Sequence, residues 1–112
     1  DDQPIIVSNQ DGPSEYDKLQ QLMALSQSSV ISSVTRQWNK PATANKDLVC
    51  HVRERKIPGG GVIDAQISSP CNANSIVQKS IIDAILKADP LPYKGFEKVF
   101  SRQAVFIFKP EN

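Results

Sequence analysis

Histidine occurs once in the 112 residues, as His51, and cysteine twice, as Cys50 and Cys71. A structural zinc site takes four Cys or His ligands, so these three residues fall one short and no metal is expected. A nucleophile that needs an imidazole base has only His51 to draw on, and no serine or free-thiol motif surrounds it. The adjacent Ser28 and Ser29 lack the strand–turn–helix setting of a nucleophile elbow. Carboxylates are scattered, with Asp64, Asp83 and Glu97 standing singly on segments expected to face solvent. Long apolar runs are missing too. The C-terminal stretch from Ala104 to Phe108 falls far short of the ~18–20 residues that cross a bilayer. No basic segment followed by an apolar one opens the chain, so it reads as mature or as part of a longer protein. Neither charge dominates: thirteen Lys and Arg against twelve Asp and Glu leave a net +1. That balance argues against nucleic acid or an anionic membrane as partner. These absences together predict no enzyme and no cofactor.

What is present suits one small domain: 39% apolar, 22% charged and 6% aromatic residues. The charge is uneven along the chain. Asp1, Asp2, Asp11, Glu15 and Asp17 precede the first base, and residues 18–112 then carry thirteen bases against seven acids. Residues 1–15, with Pro4, Gly12 and Pro13 around the island Ile5-Ile6-Val7, read as an acidic linker or tail that charge attraction could fold back on the body.

From residue 16 to 38 there is no Pro or Gly, and Leu19, Leu22, Met23, Val30, Val34 and Trp38 recur at helical steps. Ser14 is placed to cap this first helix, with Asp17 three residues on. After Pro41, residues 48–55 alternate, with Leu48, Cys50 and Val52 on one face and His51, Arg53 and Arg55 on the other. Pro58-Gly59-Gly60-Gly61 supplies a turn, and residues 62–68 alternate again, with Ile63, Ala65 and Ile67 expected inward. The glycines precede a strand and lack a following Lys-Ser or Lys-Thr, so they read as turn residues and not as a phosphate cradle. In such a hairpin, residues whose numbers sum to about 120 face each other, which sets Cys71 near Cys50. A disulfide there would clip the open end. Its loop closure would be worth about 3 kcal/mol and implies an oxidising compartment.

Ser69-Pro70-Cys71-Asn72-Ala73-Asn74 breaks the chain and ends in capping residues. Ile76, Val77, Ile81, Ile82, Ala84, Ile85 and Ala88 then predict a second helix. Asp89-Pro90-Leu91-Pro92 stops it, and Phe96, Val99 and Phe100 suggest one short further turn. The last element, residues 103–109, is a strand whose Ala104, Val105, Phe106, Ile107 and Phe108 are apolar on both faces. Two readings fit: a central strand covered on both sides, or an edge strand open to an extended partner. Arg102 and Lys109 at its ends would select acidic partners or protect the edge. Proline at Ile107 is expected to remove a ladder donor and a core contact.

The order of these pieces carries a resemblance. They are the Ser-rich helix ending in Arg36-Gln37-Trp38, the cysteine strand and glycine turn, and Gly61-Val62-Ile63-Asp64-Ala65-Gln66-Ile67. Ser68-Ser69-Pro70, the helix leading into Leu91-Pro92, residues 96–100 and Phe106-Ile107-Phe108-Lys109-Pro110 follow. Residues 16–112 resemble the TolA C-terminal domain family, within the wider TolA and TonB C-terminal superfamily. The resemblance implies an α+β fold with a three-stranded antiparallel sheet and helices packed on one face. It sets Cys50 and Cys71 where the family disulfide is expected.

It also implies a periplasmic interaction domain of an inner-membrane-anchored protein of the Tol-Pal system, which serves cell-envelope integrity and cell division. Its expected partners are the TolB N-terminal segment, with Pal as a further candidate, filamentous phage minor coat proteins and group A colicins. No nucleic acid, membrane contact or cofactor is implied. Docking would be by strand addition at the edge formed by Ala104, Val105, Phe106, Ile107, Phe108 and Lys109. The acidic tail lies outside the match; its Pro4-Ile5-Ile6-Val7-Ser8 leaves linker, cis strand and added segment open. The alternative is a TonB-type transducer domain gripping plug segments of outer-membrane receptors. A small disulfide-stabilised inhibitor is a third reading.

Overall fold

The computed structural model describes residues 14–110. The acidic tail up to residue 13, with its three open readings, lies outside the described residues. In chain order the elements are α1 (Glu15–Gln37), β1 (Cys50–Lys56), β2 (Val62–Cys71), α2 (Ser75–Lys87), a 3-10 turn (Glu97–Val99) and β3 (Gln103–Phe108). The three strands form one antiparallel sheet in the order β2-β1-β3, an α+β architecture.

Both helices begin where the sequence supplies a cap. Ser14 Oγ accepts the Asp17 N–H at 3.1 Å, and Asn74 Oδ1 accepts the Val77 N–H at 2.9 Å. Each bond satisfies a donor that the first helical turn would leave unpaired. Both helices lie against the same face of the sheet. Val30 and Val34 of α1 and Val77, Ile81, Ala84 and Ile85 of α2 are buried with Cys50, Val52, Phe106 and Phe108, and Leu48 and Leu91 close the ends. Trp38 locks the corner: its ring meets Phe108 edge-on at 5.0 Å, and its Nε1 donates to Ser80 Oγ at 2.8 Å.

On the helices, two residues of the expected apolar stripes, Ile76 and Met23, are exposed. Ile76 sits in the first turn of α2, off the stripe that Val77, Ile81, Ala84 and Ile85 bury, and is exposed. Met23 is exposed because the α1 stripe there lines an open cleft.

The β1–β2 hairpin turns on Gly59 and Gly60, both at positive φ (99° and 91°), where a side chain would be strained. Gly60 is doubly constrained. Its carbonyl accepts the Leu91 N–H at 2.8 Å, and a Cβ built on it would strike the Leu91 carbonyl.

The expected inward placement of Ile63 is wrong. Lys56 pairs with Val62 while Arg55 pairs with Asp64, so Ile63 is the extra residue of a bulge and is 53% exposed. Val62 packs against the core in its place, with Ala65 and Ile67. β2 also ends later than expected, since it continues into the breaker cluster through Ser69 and Pro70 to Cys71. Proline is admissible there because β2 is an edge strand.

Candidate docking edge and cleft

The sheet order leaves β2 and β3 as its two edges. β2 is blunted by its bulge and by Pro70, the devices that discourage further pairing. β3 has neither, and its register with β1 is unbroken from Cys50↔Phe108 to Arg55↔Gln103. Of the two readings of this strand, the structure therefore gives the edge among the described residues.

Which of its groups are open follows from one bond. The Lys56 N–H donates to the Arg102 carbonyl at 2.8 Å, in register with the ladder. Hydrogen-bonded pairs recur every second residue in an antiparallel ladder, so Ala104, Phe106 and Phe108 turn their main-chain groups to β1. Gln103, Val105 and Ile107 turn theirs outward. The Gln103 carbonyl already accepts from Ser101 Oγ at 2.7 Å. Val105 and Ile107 thus present N–H and C=O groups that no strand among the described residues pairs.

Side chains follow the same alternation. Phe106 and Phe108 are buried, while Val105 and Ile107 are 47% and 46% exposed on the open face of the sheet. Ile107, expected to give a ladder donor and a core contact, gives neither.

Beside this edge, on the helix side, a cleft of about 330 Å³ opens between α1, the 3-10 turn and β3. Met23, Ser26, Gln27 and Val30 form one wall; Tyr93, Phe96, Val99 and Phe100 form the other. Tyr93 and Phe100 hold each other edge-on at 5.3 Å. Glu54 and Lys56 line it from β1, only 2% and 8% exposed. Lys56 Nζ donates to Glu54 Oε1 at 2.8 Å and stands 5.5 Å from the centre of the Phe100 ring, within cation–π range.

These two residues were missed by sequence reasoning. The signal was present: Glu54 and Lys56 continue the parity of Cys50 and Val52, which fixes the face of a strand whatever its chemistry.

No protein-family model and no curated protein matches the sequence. Among solved structures, the chain is similar to a solution NMR structure of TolAIII bound to a peptide derived from the N-terminus of TolB. The two are 22% identical with a TM-score of 0.63, over 77% of this chain and 73% of that one. The fold is TolA C-terminal-like.

Within this TolAIII-like fold the other sequence-flagged residues take structural places. Cys50 and Cys71 are joined as a disulfide. Cys50 is fully buried and pairs across the sheet with Phe108, so the bond anchors the end of β1 that supports the end of β3. His51 Nδ1 lies 3.0 Å from the Pro70 carbonyl, a link to β2.

On the open face, Arg55 Nε donates to Asp64 Oδ1 at 3.0 Å, and its Nη2 bonds the second oxygen. That hydrogen bonding holds the Asp64 carboxyl below its ordinary range. Arg53 stands beside Val105 and is exposed, as are Arg102 and Lys109 at the ends of β3. The β3 edge is thus bordered by cations.

Proposed function

We propose that this domain is a periplasmic protein–protein interaction module of TolA type. It binds a partner's extended segment by adding it to β3 as a fourth strand. One observation carries this reading: β3 is an unblunted edge whose Val105 and Ile107 hold four main-chain groups outward. Each hydrogen bond so formed contributes roughly 0.5–1.5 kcal/mol net, and alternate side chains supply selectivity.

The partner it fits is an extended segment of TolB N-terminal type. The TolAIII structure similar in fold was solved with such a peptide. The Arg53, Arg102 and Lys109 border favours segments with acidic residues, and adding salt then weakens binding. A structural disulfide suits the periplasm, and in this reading the domain is the distal part of an inner-membrane-anchored protein.

Calorimetric titration with a TolB N-terminal peptide tests the proposal. One-to-one binding that weakens as salt rises is the expected result. Absence of binding at millimolar peptide, with the disulfide intact by mass, would remove TolB as the partner.

A further inference from the structure

The cleft beside β3 has a floor that strand addition alone does not use. Glu54 lies directly across the ladder from Ala104, the smallest side chain on the helix-facing side of β3. A larger residue at 104 would fill the space above the Glu54–Lys56 pair. With alanine there, a side chain arriving from outside the edge can reach it. Strand geometry supplies that side chain. Residues of an added strand alternate between the faces of the sheet, so every second one points to the helix side, where Ala104 borders the cleft.

The chemistry of the cleft selects what fits. Tyr93, Phe96 and Phe100 offer aromatic walls, which favour an aromatic occupant in offset or edge-on contact. The floor is polar yet neutral as a unit: Lys56 uses one of its three N–H donors on Glu54, and both residues are largely removed from water. A carboxylate entering would face Glu54, and an ammonium would face Lys56. Either would leave an uncompensated charge in a site of low polarity. A phenol avoids both penalties because its hydroxyl donates to the carboxylate and accepts from the ammonium.

We infer that this cleft is a recognition pocket for a tyrosine on the partner's extended segment. The inference rests on the strand-addition reading for how the residue is delivered, but the pocket is testable without a peptide.

Isotope-labelled protein, residues 1–112, is titrated with p-cresol, toluene and 4-methylbenzoate while amide shifts are followed. The expected result is saturable shifts from p-cresol at Glu54, Lys56, Phe100 and Ala104. Toluene should bind at least about threefold more weakly, for want of one hydrogen bond. 4-Methylbenzoate should be weaker by about tenfold or more. Ala104→Leu fills the space and should abolish the p-cresol shifts while the rest of the spectrum stays folded.

Toluene binding as tightly as p-cresol, 4-methylbenzoate binding more tightly, or shifts persisting in Ala104→Leu would overturn the assignment. So would silence from p-cresol up to its solubility limit, even if a TolB peptide shifts Val105 and Ile107. Conversely, p-cresol binding without any peptide response upholds the pocket and counts against strand addition, so the two readings fail separately.

Discussion

Proline at Ile107 separates a docking edge from a structural strand. The phase set by the Lys56 to Arg102 bond turns the Ile107 N–H outward, so its loss costs the sheet no ladder bond. Nor does the side chain carry core packing, being 46% exposed. Edge strands tolerate proline where the N–H faces solvent, and Phe106 before it is already extended, as a residue preceding proline must be. Folding stability should therefore change by no more than about 1 kcal/mol, partly offset by lower unfolded-chain entropy.

Phe106→Pro is the control. It removes a ladder donor and a buried ring, and should cost about 3–5 kcal/mol or more. Binding reverses the order of severity per unit of stability lost. Ile107→Pro deletes one docking donor and puts a ring in the path of the added strand, so affinity for the TolB peptide should fall by at least about tenfold. Urea denaturation and calorimetry on the same preparations read both effects. Full-affinity binding by folded Ile107→Pro, or its unfolding to the extent of Phe106→Pro, would refute the phase and the docking edge with it.

Replacing Cys50 by Ser releases a closure between residues 21 apart and should cost about 3 kcal/mol under oxidising conditions; unchanged urea stability would contradict a structural role. Gly60→Ala should destabilise more than Gly59→Ala. Both meet the positive-φ cost of about 1–2 kcal/mol, but only residue 60 abuts the Leu91 backbone; equal urea midpoints would refute that packing. Asp64 should titrate below the ordinary aspartate value of about 3.9 when its carboxyl carbon is followed by NMR. Its folded value is lowered, so its stabilising contribution is fully present above the ordinary value and is lost as pH falls from there through the folded value. Arg55→Ala should return the midpoint to the ordinary value.

What could be read from the sequence was what local chemistry decides. Ser14 and Asn74 announce helix starts because a cap needs only its own first turn. Gly59 and Gly60 announce the hairpin because few residues accept positive φ. The sheet order was not legible: β3 is apolar on both faces, as a central strand would be, while β1 carries Arg53 and Arg55 and yet lies in the middle. The reason is that one face of the sheet is open, so a central strand can present arginines there. The outward swing of Ile63 comes from a bulge, which depends on the partner strand. Glu54 and Lys56 were not singled out, although strand parity sets them on the face of Cys50 and Val52, and that is where the candidate pocket lies. Among the proposed edge residues, the structure divides Val105 and Ile107, facing out, from Phe106 and Phe108, which are core.

The most direct test of strand addition at β3 is amide hydrogen exchange with and without a saturating TolB N-terminal peptide. Protection should rise at Val105 and Ile107, whose N–H groups gain partners, and change little at Phe106 and Phe108, already bonded to β1. Protection confined to β2, or none at Val105 and Ile107 while the peptide is bound, would contradict the account.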